Sequence, residues 1–467
     1  MNKYKYLFKN IGLLTLSNFA TKLLSFFLVP LYTSVLTTGQ YGTYDLFNTT
    51  IGVLIPILTL NILDAVLRFG MDKAYDKDAI VTLGTKWLGI STLFITLILI
   101  ANHFITVIPI LEKYKFYFFL MFFTQAFSGI ITSYARGTDH VASLSVSSVI
   151  ASAVTILANI IFLIPLKMGL PGYFLANIIG PLVQCVYLCA RLKVWRNLKL
   201  AKDFSSNEKE MFKYSTPLIA NSISWWVNNV SDRYIVTWFC GVAANGIYSV
   251  STKIPSILNI FQTIFSQAWT LSVVKDFDSQ DTDGFFSKTY STYNCVMVVA
   301  CSIIIATDRI MAKFLYTNEF YVAWKYVPFL TIAIVFGALS GYVGGFFTAV
   351  KDSKKFATST ILGAVLNVIL NFISVPIIGT LGAAISTAAS YIVVWAVRII
   401  QSREYIKIKI NWGRDISSYL VMFIQTEILL LFPESILMYG VQGILILGIV
   451  FLYKRELGLF IRKLRKE

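Results

Sequence analysis

The uncharged stretch "VASLSVSSVIASAVTILANIIFLIPL", residues 141–166, decides the fold class of this chain. It contains no Asp, Glu, Lys or Arg, and it exceeds the roughly 20 apolar residues that a helix needs to cross about 30 Å of hydrocarbon. Its apolar residues do not alternate with polar ones, so the pattern indicates a helix and not a strand of a membrane barrel. Similar runs recur along nearly the whole sequence. They predict an all-α polytopic membrane protein.

The overall composition excludes an ordinary soluble protein. Of the 467 residues, 56% are hydrophobic and only 14% are charged, whereas soluble domains carry about a quarter charged residues. The mean hydropathy is +0.69. No predicted loop is large enough to hold a soluble catalytic domain.

The apolar runs predict about 14 transmembrane helices, counted on a scale of roughly 17–25 residues for each span. The first six predicted spans are Ile11–Leu36, Gly42–Val66, Thr82–Ile108, Tyr114–Tyr134, Val141–Leu166 and Leu170–Leu192. The second six are Tyr214–Phe239, Gly246–Leu271, Thr289–Ala306, Ala323–Val350, Ala357–Pro376 and Leu381–Ile400. Two shorter spans, Ile416–Phe432 and Ile436–Tyr453, close the chain.

The distribution of positive charge predicts the orientation of the chain in the membrane. The net charge is +16, with 40 Lys and Arg residues, and about 30 of these lie in alternate loops or at the two ends, on one predicted side. By the positive-inside rule, both termini are in the cytoplasm, which the even number of spans allows. The basic excess therefore predicts contact with anionic membrane lipids and no nucleic-acid partner.

The sequence contains a weak internal repeat. Gly42 and Tyr44 follow the first span as Gly246 and Tyr248 follow the seventh. Further pairs have similar spacing: Asn18 with Asn221, Asn159 with Asn371, Pro165 with Pro376, Gly169 with Gly379 and Gly172 with Gly382. Each copy holds six spans, which predicts two lobes of the same orientation, as in transporters built from parallel repeats. The predicted division is 1–200 for the N-terminal lobe, 201–402 for the C-terminal lobe, and 403–467 for two further helices and a basic tail.

The seventh predicted span carries a polar stripe that a lipid-facing helix would not tolerate. Asn221, Trp225, Asn228 and Asp232 are three or four residues apart, so they lie on one helix face, and Arg233 belongs to the neighbouring row. Asn and charged side chains are costly in hydrocarbon. This face is therefore predicted to meet other helices or water.

Three other spans carry polar or charged residues of the same kind. The first contains Asn18 and Lys22, with Lys22 close to mid-depth at 1.5 Å per residue. The second has Asp64 and Arg68 near one end. In the eighth, Asn259, Gln262 and Trp269 follow the helical period, and Lys253 lies at the edge of this stripe. These four spans are the first two of each repeat, so we expect them to line a hydrated, cationic cavity between the lobes.

The chemistry of these residues predicts an anionic ligand. Lys and Arg bind phosphate oxygens, while Asn, Gln and Trp suit sugar hydroxyls and ring faces. Each cation also has a structural alternative: pairing with an acid such as Asp232 for Arg233, snorkelling for Lys253, and orientation of a helix end for Arg68. Asp64 and Asp232 are candidate coupling or pairing residues. Only two histidines are present, and we predict no metal site and no cofactor.

Four segments, taken in order, resemble the motifs of a known family: "SNFATKLLSFFLVPLYTSVLTTGQYGTYDLF", "LDAVLRFGMDK", "SDRYIV" and "GIYSVSTKIP". They are similar to bacterial Wzx-like polysaccharide flippases of the multidrug/oligosaccharidyl-lipid/polysaccharide (MOP) superfamily. The resemblance implies a MATE-like, two-lobed bundle in the bacterial cytoplasmic membrane, with an alternating central cavity whose cations are Lys22, Arg68, Arg233 and Lys253. It also implies an undecaprenyl-pyrophosphate-linked oligosaccharide as substrate, in capsule or exopolysaccharide assembly, with a polysaccharide polymerase and other assembly proteins as partners.

Three alternative functions remain at this point. Lipid II flippases are related, but their first span typically carries several arginines where this one has Lys22. A cation-coupled multidrug antiporter would want buried carboxylates in its cavity, and Asp64 near a helix end does not supply them. A polysaccharide polymerase is also a many-span protein, but it usually has a large outer loop, and the predicted outer connections here are short.

Overall fold

The computed structural model describes residues 26–198, 205–275 and 277–458. Every regular element in these ranges is a helix, and no strand occurs there. The prediction of an all-α polytopic membrane protein is confirmed.

The chain forms two compact units, Met1–Val230 and Ser231–Glu467, called unit 1 and unit 2 below. Unit 1 contains α1 (Val29–Val35), α2 (Thr38–Leu58), α3 (Ile62–Gly70), α4 (Lys77–Ile105), α5 (Pro109–Gly137), α6 (Val141–Leu163), α7 (Leu170–Leu192) and α8 (Val194–Asn197). The division between the units falls within the next helix, α9 (Ser205–Cys240). The predicted boundaries at 200 and 402 stay a prediction.

The remaining helices of unit 2 follow α9, and the last two of them lie at its C-terminal end. They are α10 (Val242–Ser251), α11 (Ser256–Lys275), α12 (Phe285–Leu315), the 3-10 helix Asn318–Lys325, α13 (Val327–Ala349), α14 (Ser353–Ile378), α15 (Thr380–Ser402), α16 (Trp412–Leu431) and α17 (Ile436–Leu452). Helix α13 packs against α11, α12 and α15, and it is the most deeply buried of the apolar helices that the structure describes.

Nine of the described helices are long and apolar enough to cross a membrane, or ten if the bent pair α2 and α3 is one span. Helix α16 is not among the nine, and α17, with 17 residues, is one of the shorter apolar helices. The predicted total of 14 spans is therefore not confirmed, although α16 and α17 coincide closely with the last two predicted spans.

Two predicted continuous spans are broken, which corrects the sequence prediction. In Gly42–Val66, helices α2 and α3 meet at an angle of 63°, because Leu60 and Asn61 adopt left-handed backbone angles between them (φ of 51° and 53°). In Gly246–Leu271, helix α10 ends at Ser251 and α11 begins only at Ser256. Pro255 lies in this second gap, where it has no N–H to continue a helix.

The repeat that the sequence suggests has matching local geometry in the two units. Asn159 and Asn371 are both fully buried, and each donates its Nδ2 to the carbonyl four residues earlier, at 2.8 Å. Gly169 and Gly379 each precede the next helix with positive φ angles of 58° and 64°, which favour glycine. These hydrogen bonds of both asparagines run within their own helices.

Candidate functional site

Helix α9 holds the predicted polar stripe, but only part of it can be described. Asn221 is exposed, and Arg233 is half-buried. Asp232 is 9% exposed and accepts a hydrogen bond from the hydroxyl of Tyr248, as well as one of 2.9 Å from the backbone N–H of Arg233. The side chains of Trp225 and Asn228 lie outside the described part, so their place in the stripe stays a prediction.

The acceptor Asp232 belongs to a buried polar cluster in unit 2. Tyr248 also interacts through its hydroxyl with Thr387, and Asn367 donates to the Thr387 hydroxyl at 3.3 Å. Asn371 donates to both the backbone and side-chain oxygens of Asn367, at 2.8 and 3.1 Å. The cluster connects α9, α10, α14 and α15, and such groups are rare inside membrane helices unless they have a function.

Helix α11 presents a polar face that none of the described residues covers. Asn259, Thr263, Ser266 and Thr270 are all exposed and follow the helical period, and Gln262 beside them is half-buried. The Thr263 and Thr270 hydroxyls donate to the carbonyls of Asn259 and Ser266, at 2.8 and 2.9 Å, whereas the Asn259 amide on a lipid-facing helix would be left without a hydrogen-bond partner. This face therefore borders water or a polar ligand.

The neighbouring side of α11 is fixed by Trp269, which the sequence had placed in the polar stripe. Its indole is 4% exposed, donates to the backbone carbonyl of Tyr342 at 2.9 Å, and stacks on the Tyr342 ring with centroids 3.9 Å apart. Packing against α13 thus determines which face of α11 is left open.

Lys253 lies in the break between α10 and α11 and is half-buried. Its ammonium group has no hydrogen bond or ion pair to any residue in the part of the chain that the structure describes. A half-buried cation that is not neutralised by a nearby acid is available to an anionic ligand.

In unit 1, the predicted site residues Asp64 and Arg68 are exposed on α3. Asp64 is exposed and accepts a hydrogen bond of 2.8 Å from Asn61, and Arg68 forms an exposed ion pair of 3.9 Å with Asp72. Exposed pairs of this length contribute little, so the Arg68 guanidinium can be recruited by another anion. Asn18 and Lys22 lie outside the described residues, and their role stays a prediction.

A mostly apolar cavity of about 740 Å³ lies between α11 and the start of α12. Its walls include Phe261, Phe265, Tyr293 and Met297, and Lys288 lies at its edge. The cavity lies within unit 2, on the side of α11 that carries Phe261, Ile264 and Ala268, and not on its polar face. Its volume falls within the range of about 300–1,000 Å³ that is usual for ligand pockets.

Sequence reasoning missed the buried polar groups that join α12 to the two C-terminal helices. Asn294 donates to the Tyr453 hydroxyl at 2.9 Å, Ser302 donates to Gln425 at 2.8 Å, and Arg414 donates to the Ser291 hydroxyl at 2.9 Å. Arg414 also forms a buried ion pair of 2.7 Å with Asp415, its neighbour on α16. The signal was present for Asn294, Ser302 and Gln425, because each of them interrupts an apolar run. It was not distinctive, because the partners are more than 100 residues apart in most cases.

The acidic loop before α12, residues 277–284, is ordered by hydrogen bonds to its own aspartates. Asp278 accepts hydrogen bonds from the backbone of Gln280 and from the backbone and hydroxyl of Thr282. These donors hold the pKa of Asp278 below its usual range. In the part of the chain that the structure describes, no group of three His, Cys, Asp or Glu residues is placed to hold a metal ion.

Together, these features define a class: a multi-pass helical membrane protein whose helices carry polar, partly cationic faces. Residues 7–271 match the family described as polysaccharide biosynthesis protein. Since this is more than half of the 467 residues, the chain belongs to that family.

Similar proteins agree with this assignment. The probable low-salt glycan biosynthesis flippase Agl15 of Haloferax volcanii is 24% identical over 221 residues, which is 46% of this chain and 46% of that protein. The match therefore spans less than half of the curated relative.

Solved structures show the same fold. The lipid II flippase MurJ in an inward-closed conformation has a TM-score of 0.71 at 13% identity, over 96% of this chain and 98% of that one. An inward-facing multidrug resistance MATE family transporter of the MOP superfamily has a TM-score of 0.66 at 14% identity, over 86% and 96%. The predicted MATE-like helical fold is thereby confirmed.

Proposed function

We propose that this protein is a transporter and not an enzyme, and that it flips an undecaprenyl-pyrophosphate-linked oligosaccharide from the cytoplasmic to the outer leaflet. The membership of residues 7–271 in the polysaccharide biosynthesis family carries this proposal, and the name of the Haloferax relative, a glycan biosynthesis flippase, supports it. We place the protein in the bacterial cytoplasmic membrane with both termini in the cytoplasm, serving capsule or exopolysaccharide assembly.

The proposed binding residues supply what such a headgroup requires. The diphosphate needs cations, and we assign Lys22, Arg68, Arg233 and Lys253 to it. The half-buried, unneutralised ammonium of Lys253 is the strongest structural support among the described residues. The sugars need hydrogen-bonding and stacking groups, for which we propose Asn18, Asn221, Trp225, Asn228, Asn259 and Gln262.

Energy coupling is proposed to involve buried acids and not the exposed Asp64. Asp232 is buried within a polar cluster that connects four helices of unit 2. A change in its charge or ligation would alter the packing of all four helices, because an unpaired buried charge is costly. We therefore propose Asp232 as the coupling residue. We also propose that a polysaccharide polymerase and other assembly proteins act on the flipped product.

Export by charge-reversed variants tests the binding residues. Lys22→Glu, Arg233→Glu and Lys253→Glu are each expressed in a flippase-deficient strain. Loss of one charge-assisted contact to phosphate is worth about 1.5–3 kcal/mol, so we expect at least about tenfold less exported polysaccharide at equal membrane abundance. The matched control is Lys354→Glu, since Lys354 is exposed at the start of α14. Normal export by all three variants would reject the assignment.

The leaflet in which lipid-linked units accumulate separates transport from polymerisation. Deletion of a flippase leaves single units on the cytoplasmic face, whereas deletion of a polymerase leaves them on the outer face. We expect the cytoplasmic result.

Lipid II is the second candidate substrate, because the similarity to the lipid II flippase MurJ covers 96% of this chain. If expression of this protein restores growth of a MurJ-depleted strain, the result would support lipid II as the substrate. Failure to support growth, with restored polysaccharide export in the flippase-deficient strain, would exclude it.

A further inference from the structure

Asp308 is a buried acid in the last third of α12 with an unusual environment. Its side chain is fully buried, and neither carboxylate oxygen has a hydrogen-bond partner among the described residues. Other buried acids of unit 2 are provided with donors: Tyr248 for Asp232, Arg414 for Asp415, and backbone N–H groups for Asp281. Asp308 thus lacks the groups that normally stabilise a buried negative charge.

The neighbouring Arg309 does not neutralise it. The Arg309 guanidinium donates instead to the backbone carbonyls of Leu429 and Phe432 at the end of α16, and it lies over the Trp324 ring at 4.1 Å. Its Nε–H is buried without a partner in the described part of the chain. An unpaired donor and an unpaired acceptor therefore lie on adjacent residues without being bonded to each other.

Few other charged groups face Asp308. Among the described residues, Arg309 and Tyr321, on the 3-10 helix, interact electrostatically with Asp308. Helix α13 brings no ionisable side chain before Tyr342, and Glu427 of α16 is exposed. Lys313, Glu434 and Tyr439 form a separate cluster that faces Arg309.

We propose that Asp308 is a proton-binding site, and that the neutral carboxylic acid is the form held in this conformation. An ionised carboxylate without donors is costly in a low-dielectric interior, whereas the neutral acid is far less so. When the acid dissociates, its O–H bond breaks, the proton passes to water, and the carboxylate accepts the N–H groups of Arg309. Arg309 then leaves the carbonyls of Leu429 and Phe432, so the protonation state of α12 controls the contact with α16.

The infrared spectrum of the purified full-length protein in nanodiscs tests the site directly. At pH 7 we expect a protonated carboxylic acid C=O band that is absent in Asp308→Asn and retained in Asp283→Asn, the control, since Asp283 is an exposed loop acid. The band should disappear as the pH is raised. No band in the wild-type protein, or an unchanged band in Asp308→Asn, overturns the proposal.

Thermal unfolding gives a second readout. An acid that holds its proton more tightly in the folded state loses stability as the pH rises towards its folded pKa. We therefore expect the Tm of the wild-type protein to fall more steeply with rising pH than that of Asp308→Asn.

The variant Asp308→Leu covers the case in which the asparagine variant does not fold. A neutral, unpaired acid can be replaced by an apolar residue with an equal or higher Tm at pH 7, whereas removing the counter-charge of Arg309 would lower it. Parallel pH profiles for wild type and Asp308→Asn, or a lower Tm for Asp308→Leu, reject the proposal. These readouts need no substrate, so they leave the proposed transport function untouched.

Discussion

The packing of Trp269 offers a quantitative test of how α11 is oriented. In Trp269→Phe, the hydrogen bond of 2.9 Å to the Tyr342 carbonyl is lost, at a cost of about 0.5–1.5 kcal/mol. The smaller ring also gives up roughly 50 Å² of buried apolar surface, worth about 1 kcal/mol at about 25 cal/mol per Å². The free energy of unfolding should fall by about 2 kcal/mol.

This change should be visible in thermal unfolding of the protein in nanodiscs. For a unit of the size of Ser231–Glu467, about 1 kcal/mol shifts Tm by about 2–4 °C, so Trp269→Phe should lower Tm by about 4–8 °C. The matched control is Trp238→Phe, because Trp238 is 80% exposed on α9 and should shift Tm by less than about 2 °C. Equal shifts in the two variants would refute the argument, because they would show that the buried contact contributes nothing.

Two further predictions concern unit 1 and the acidic loop. A Cβ on Gly180 would lie 1.9 Å from Thr155 Oγ1, whereas one on Gly52 would meet nothing within 4 Å. Gly180→Ala should therefore lower the unfolding free energy by about 1–3 kcal/mol. Gly52→Ala, the control, should not lower it, and thermal unfolding measures both. Because hydrogen bonds from Thr282 lower the pKa of Asp278, its stabilisation is present above the unfolded pKa of about 3.9 and lost as pH falls through the folded value. Asp278→Asn should lower Tm at neutral pH, and the difference should shrink below about pH 3.9; a difference that is the same at both pH values contradicts the assignment.

The sequence predicted the class of fold because that class depends on long-range composition. Runs such as residues 141–166 have one stable solution in a bilayer, a helix, since every backbone group must be paired internally. Asn159 and Gly169 could also be matched to Asn371 and Gly379 by spacing alone. The breaks after Leu58 and Ser251 could not, because hydrophobic periodicity continues across them while the backbone does not.

The candidate site was only partly accessible to sequence reasoning. Stripe analysis singled out Asp232 as a charge that the protein must satisfy, but it could not foresee that Tyr248 would be its donor. It also placed Trp269 with the polar residues, because Trp is compatible with either environment. Asp308 and Arg309 escaped notice because adjacent charges at a predicted helix end are usually solvated, and only tertiary packing buries them.

The polar contacts of the last two helices have a consequence for biosynthesis. Helix α16 carries Gln425 within its apolar run, and an isolated segment would have to bring this amide into the bilayer without its partner Ser302, which is unfavourable because an unpaired polar group in hydrocarbon is costly. Its partners Asn294 and Ser302 lie on α12, which leaves the ribosome more than 100 residues earlier. Stable integration of the C-terminal hairpin therefore depends on a helix that the translocon has already released.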